Sequence, residues 1–419
     1  MNGHNEMPQN DVHEGFDHFE KRILLLTCST HFMSHMFILV FPAVAIPLVK
    51  SLGLPLEEVI KLSFLMYLLY GLCALPVGVV VDRWQAKHML VIGQMAMGIG
   101  LMLSGLYPSR GVMPFTLALV GIGASIYHPS GLSLISRTIR KRGYALGING
   151  VFGNLGIAAA PLATGILTWI FSWQWTFILL GSLSILAGFV LSAFKIDETP
   201  KVEASRPALE GHNNTVRFFI ILCFAMIFGG LSYRGNMLLL PAYLELKTTF
   251  FLGFIESLSF IKTQGTTTLA ATVLTSFIFL TGIFGQMTGG RLADRKDLRY
   301  AYIFMHGSSV PFLFAMAFTT DYLLALCAAA YVFFSLGMQP IENSLIAYFT
   351  PTRWRSTSYA VKFIMNFGIG STVVYLIGAV KRTHSLETVY IFLAAIACLI
   401  VLCAVALIFV SRHMKEVRN

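Results

Sequence analysis

Seven ionisable side chains stand inside long apolar runs: His31, His35, His128, Arg234, His306, Glu342 and Lys362. Each costs at least ~2.5–3.5 kcal/mol at a bilayer centre on insertion scales, so each asks for a reason. Glu342 is the one carboxylate well inside a run. At about 1.5 Å of rise per residue, Glu342 and Lys362 reach similar depths on neighbouring helices, so they can pair. Such a pair is either a static brace or a proton carrier that trades its ion pair for a protonated acid. His31 and His35 lie one helical turn apart on one face. That is also a metal-ligand spacing, but the sequence shows no third ligand, so no metal site is expected. His128 precedes Pro129, whose missing N–H frees a backbone acceptor. The imidazole either satisfies that acceptor or faces a cavity, and it joins Glu342 and Lys362 as a candidate for proton coupling. His306 stands alone and is expected to be hydrogen-bonded within its bundle.

The elements that position these groups follow from composition. The 419 residues are 56% hydrophobic and 12% charged, with a mean hydropathy of +0.72. A soluble domain carries about twice that charged fraction. Twelve apolar runs between about residues 23 and 410 are each long enough to cross a hydrocarbon core. They are continuous, without the period-two alternation of a membrane barrel. The expected fold is therefore an all-α membrane protein of twelve transmembrane helices. Of the 30 Lys and Arg, 21 fall on the side of the N-terminus, seven on the other side and two within spans. That asymmetry places both termini in the cytoplasm of a multi-pass inner-membrane protein. It also explains the net charge of +10 without nucleic acid. All six cysteines fall within spans and are expected as free thiols. Residues 1–20 read as a polar, solvated tail, although His4, His13 and His18 stand among its carboxylates. Phe251, Phe254, Ile255, Leu258 and Ile261 share one side of a short helix, which is expected to lie on the outer surface.

The runs repeat. GVVVDR at 78–83 is echoed by GRLADR at 290–295, and YHPSGLSLI at 127–135 by MQPIENSLI at 338–346. Pro42 in span one matches Pro241 in span seven, which sets His35 opposite Arg234. YALGINGVFGNLG at 144–156 parallels YAVKFIMNFGIG at 359–370. A polar stretch between the copies reads as a linker. The division is a cytoplasmic tail 1–20, a six-helix bundle 21–194, a cytoplasmic linker 195–216, a second bundle 217–411 and a tail 412–419. Such internal repetition marks secondary transporters, whose site lies between the repeats. Cavity candidates are His31, His35, Asn149, Arg234 and Gln339. Arg234, a rigid fork of donors, suits a carboxylate, phosphonate or phosphate.

Two G-x-x-x-D-R elements after spans two and eight, on six-plus-six helices, resemble the major facilitator superfamily. The first copy keeps Gly78, Asp82, Arg83 and Lys87, with Gln85 and Ala86 where the family places Gly and Arg. The second keeps Gly290, Asp294 and Arg295. The resemblance implies two pseudo-symmetric bundles rocking around a midplane site, with this element as a conformational latch. His128-Pro129 with Gly150, Gly153, Asn154 and Gly156 is similar to the fosmidomycin-resistance exporters, although Ser130 stands where those often have an acid. Ala160-Pro161 and Gly165 partly resemble an antiporter signature.

No P-loop and no nucleophile–base constellation is present in the sequence, so an enzyme is not expected, nor a cofactor. The expected partners are a small solute, protons and the lipid bilayer, with the monomer as the working unit. The expected function is proton-coupled movement of an anionic or amphipathic organic solute, with efflux by antiport ahead of uptake by symport. A non-transporting sensor or scaffold is the remaining alternative.

Overall fold

Residues 15–81, 83–199, 215–258, 265–350, 355–412, 414 and 417 are described in a computed structural model. Residues 1–14, Asp82, most of the linker (200–214) and the end of the expected outer helix (259–264) lie outside the described residues. Helix is the regular structure throughout the described chain, because a run without water must satisfy its backbone groups within itself.

The first half holds α1 (His18–Ile38), α2 (Val40–Ala43), α3 (Ala45–Leu52), α4 (Leu56–Lys61), α5 (Phe64–Leu72) and α6 (Ala74–Val81). It continues with α7 (Ala86–Leu106), α8 (Met113–Ser125), α9 (Tyr127–Thr138), α10 (Arg142–Ile170) and α11 (Trp173–Ala193). The second half holds α12 (Thr215–Lys247), α13 (Phe250–Leu258), α14 (Thr266–Arg295), α15 (Leu298–Ala315) and α16 (Asp321–Phe349). It ends with α17 (Arg355–Phe363), α18 (Val373–Thr383) and α19 (Leu386–Val410). Among the described residues, ten helical stretches are long and apolar enough to cross a membrane; α4–α6, α8–α9 and α17–α18 each make one of them. The expected spans one (α1–α3) and nine (α15) are helical but fall outside that set. Glu20, Lys21 and Arg22 open the first, and Arg299 stands at the start of the second.

Phe115, Leu402 and Phe409 stand 61–70% exposed, as side chains that meet lipid would. The halves meet where α10 lies along α14, α4 against α18, and α5 against the interrupted helix after α17. Gly71 makes the last contact possible. A Cβ there would run into the backbone of Gly368.

The interruptions have identifiable causes. Pro42 has no N–H for the Ile38 carbonyl, and the Tyr67 hydroxyl donates to that oxygen instead, at 2.8 Å. Around it the helix breaks at Leu39 and Val44. In span four the helix breaks at Ile126, just before His128-Pro129. The repeat-related α16 runs unbroken through Pro340, so the two copies are not interrupted alike. Span eleven, read from sequence as one run, passes through a π turn at Ile364–Gly368 and a 3-10 turn at Ile369–Thr372.

The described parts of both ends are partly docked. Asp17 and Glu20 form a capping box on α1, and Arg140 reaches them, with Nη2 3.2 Å from Asp17 Oδ2 and its amide donating to Glu20 Oε1 at 3.0 Å. At the other end, Val417 is buried, and its amide donates to Asp297 Oδ2 at 3.2 Å. The expected outer helix exists as α13. Asp321 Oδ1 accepts from the amides of Thr249 at 2.6 Å and Phe250 at 3.2 Å, and Phe250 lies against Tyr322 with ring centroids 3.8 Å apart.

Candidate functional site: a cavity between the two halves

A cavity of about 920 Å³ lies between the halves. Its walls include Gly78, Ser136, Arg137 and Thr357, so it reaches the end of the molecule where the loop elements sit. At the opposite end the halves are shut by the Gly71–Gly368 contact and the α4–α18 packing. The structure is thus open at its basic end and closed at the other.

All five expected cavity residues, His31, His35, Asn149, Arg234 and Gln339, line this space. The α1 face presents His31 and His35 with ring centroids 4.9 Å apart. His31 Nδ1 donates to the Asn149 carbonyl at 2.8 Å, and the ring stacks on Tyr127 at 4.2 Å. Tyr127 in turn donates to Asn149 Oδ1 at 2.5 Å. Gly153 leaves room for the imidazole, since a Cβ there would sit 2.5 Å from His31 Cε1.

The break at Ile126 turns His128 into the cavity, where its ring lies 5.3 Å from His31 and 5.4 Å from His35. Its Nε2 is hydrogen-bonded to the Tyr70 hydroxyl at 3.2 Å rather than to a freed carbonyl. Gln339, its counterpart in the repeat, pairs elsewhere. Asn154 donates to Gln286 Oε1 at 2.6 Å, and Gln286 Nε2 donates to Gln339 Oε1 at 3.2 Å, a chain that joins the halves.

Arg234 is 2% exposed. Its guanidinium carbon stands 4.3 Å from the centre of the Tyr67 ring and 4.9 Å from that of Phe367, a cation held between aromatic faces. Its Nε and Nη2 are buried with no hydrogen-bond partner, and no carboxylate pairs with it among the described residues.

Glu342 and Lys362 do meet, with Nζ 2.8 Å from Oε1. Tyr302 donates to Glu342 Oε2 at 2.8 Å, Asn366 donates to Oε1 at 3.4 Å, and Lys362 also donates to Asn343 Oδ1 at 2.7 Å. Lys362, Asn343 and Asn366 line the cavity, while Glu342 lies behind them, 1% exposed. Asn366 belongs to the π turn, so the irregular backbone of span eleven adjoins the ion pair. His306 departs from expectation. It is buried against the edge of Tyr302, ring centroids 4.5 Å apart, with Nε2 unpartnered.

The loop elements are not clasped in this state. Arg83, Asp294 and Arg295 are exposed and without ion pairs among the described residues; Asp82 lies outside those residues. Gly78 and Gly290 permit no close approach here. A Cβ at 78 would meet only Pro129 Cβ at an ordinary 3.9 Å, and one at 290 would meet nothing within 4 Å. Lys87 Nζ donates to the Ser192 carbonyl at 2.8 Å, and Glu198 caps α7 through the amides of Ala86 at 3.0 Å and Lys87 at 2.8 Å.

Sequence reading missed Tyr127, Gln286, Tyr302, Phe367 and Asn366 as partners in these networks, and singled out Tyr70 only as an aromatic for stacking or packing. Tyrosines and amides repeated in apolar runs were the available signal, since each must find a partner when buried.

The chain thus folds as two halves around a cavity with one closed end, which holds a buried cation and a buried ion pair. The chain belongs to the Major Facilitator Superfamily, whose family model matches residues 24–374. It is 24% identical to the probable sulfoacetate transporter SauU of Cupriavidus necator over 327 residues, covering 71% of this chain and 72% of that protein. It is 27% identical to the uncharacterized MFS-type transporter Rv1250 of Mycobacterium tuberculosis over 161 residues, 38% of this chain and 28% of the relative's length. Among solved structures, a bacterial homolog of the human lysosomal transporter Spinster, inward-facing and unoccupied, superposes with a TM-score of 0.70. It is 16% identical and covers 97% of this chain and 99% of its own.

Proposed function

We propose that the protein is a proton-coupled transporter of a small organic anion, working by alternating access between two six-helix bundles, residues 21–194 and 217–411. Arg234 carries the reading. A buried guanidinium with open donors and no carboxylate partner among the described residues is a costly arrangement that an anionic ligand would relieve. The similarity to SauU, a probable sulfoacetate transporter, supports the same solute class. His35, Gln339 and Asn149 line the same cavity as Arg234.

Glu342 is the proposed proton carrier, with Lys362 as the partner that holds it ionised. Proton binding to Glu342 would release Lys362 towards the cavity, where the cation is free to meet the solute. With the N-terminus in the cytoplasm, the open end is the cytoplasmic one and the state described is inward-open. In the opposite state the loop elements, Gly78, Asp82, Arg83, Gly290, Asp294 and Arg295, would come together as the latch. Export by antiport is the proposed direction, on the likeness of the His128-Pro129 region to fosmidomycin-resistance exporters. Uptake by symport uses the same groups and is separated by the direction of flux alone. The working unit is one chain in the inner membrane.

The test is flux of radiolabelled carboxylates, sulfonates and phosphonates in proteoliposomes. A charge-assisted hydrogen bond is worth about 1.5–3 kcal/mol, so Arg234→Gln should weaken solute affinity about tenfold to 150-fold. Arg234→Lys should recover part of it. Equal transport of neutral analogues, or an indifferent Arg234→Gln, would overturn the anion assignment.

A further inference from the structure

We infer that His31, His35 and His128 form a binding site for a borderline transition-metal dication of the zinc type on the wall of the cavity. This goes beyond the anion reading and does not rest on it. The i, i+4 pair on α1 lacked a third ligand in the sequence. The break before α9 supplies it by carrying His128 from another helix to the same point. One ring nitrogen from each histidine lies within 4.8 Å of the others. Ligands about 2.1 Å from a tetrahedral ion are about 3.4 Å apart, so binding requires the rings to close by a modest rotation. His35 and His128, both half-buried at the cavity face, have the space for it.

The surroundings match those of a metal ligand. His31 donates Nδ1–H to the Asn149 carbonyl at 2.8 Å, which leaves the Nε2 lone pair for a cation. Stacking on Tyr127 and the clearance over Gly153 fix the ring. A backbone carbonyl on the far nitrogen is the usual outer partner that sets the tautomer and orientation of a ligating histidine. The donor set is three imidazoles, which favours Zn²⁺, Cu²⁺, Ni²⁺ or Co²⁺ over Mg²⁺ or Ca²⁺. Three ligands leave a tetrahedral ion one further position, and the cavity that all three histidines line gives the entry path.

The experiment is calorimetric titration of the purified full-length chain, free of any affinity tag, with Zn²⁺. Co²⁺ absorption serves as the spectroscopic signature of tetrahedral nitrogen ligation. One Zn²⁺ per chain is expected. Outer partners alone change metal affinity about 10–100-fold, so His35→Ala or His128→Ala should cost at least about 100-fold. Melting temperature without metal checks that each variant is folded, and His128→Gln replaces any variant that is not. His306→Gln and a variant lacking the tail histidines His4, His13 and His18 should bind as the native chain does. The inference fails if no Zn²⁺ binds, if binding survives the loss of all three cavity histidines, or if it is lost with the tail histidines. Failure here leaves the Arg234 flux result standing.

Discussion

Replacing Lys362 by Met leaves Glu342 buried without its cation. The carboxylate keeps the Tyr302 hydroxyl at 2.8 Å and the Asn366 amide at 3.4 Å, but loses the ammonium at 2.8 Å. Stranding one member of a buried pair costs about 3–5 kcal/mol. A second route sets a ceiling on that cost, because the carboxylate can neutralise itself by taking a proton. For an acid of ordinary value about 4.3 and about 1.36 kcal/mol per unit, the proton costs roughly 4 kcal/mol at about pH 7.5 and roughly 1.6 kcal/mol at about pH 5.5. Lys362→Met should therefore lose roughly 4 kcal/mol of stability at the higher pH and regain more than half of it at the lower. Glu342→Gln strands the lysine instead, so its cost should not shrink as the pH falls. The double variant removes both charges and should be more stable than either single one at the higher pH. Equilibrium unfolding in detergent, followed at both pH values, reads all three. A double variant no more stable than Lys362→Met, or a Lys362→Met cost that ignores pH, would refute the reasoning.

The closed end offers a second handle. Gly71→Leu forces side-chain atoms into the Gly368 backbone, and overpacking of this kind costs about 1–3 kcal/mol. The state described here should lose that much relative to its opposite, raising thiol labelling from the closed side by roughly 5- to 150-fold at a cysteine placed in the cavity. At the C-terminus, burial alone would raise the Asp297 carboxyl, but hydrogen bonds from Arg299 and the Val417 amide outweigh it and hold it below the usual carboxylate range. A depressed carboxyl stabilises above its unfolded value and ceases to as the pH falls through its folded one. Protease protection of the C-terminal residues should therefore persist at neutral pH and fade only in strong acid, with Asp297→Asn removing the dependence.

The polar residues of the site were legible because an apolar run makes each conspicuous. Glu342 and Lys362 met as helix rise and chain adjacency required. The repeat placed His35 and Arg234 on facing walls. What stayed hidden depends on how helices are interrupted, which hydropathy does not record. Pro42 and Pro129 break their helices and Pro340 does not, although all three sit in similar runs. At Pro42 the Tyr67 hydroxyl takes up the Ile38 carbonyl, a tertiary contact that hydropathy does not record. The π turn of span eleven carries Asn366 to Glu342 and has no sequence period of its own. The convergence of His128 on His31 and His35 needed two helices and one break. Arg83, Asp294 and Arg295 are exposed in this state, so the contacts that their repeated spacing implies belong to the opposite one.

The most direct test of the account follows internal pH and labelled solute together in proteoliposomes under an imposed proton gradient. With the native protein, outward solute movement should be accompanied by inward proton movement. With Glu342→Gln, solute-for-solute exchange should continue while proton movement stops. A Glu342→Gln protein that still moves protons with solute at the native ratio would contradict the central claim.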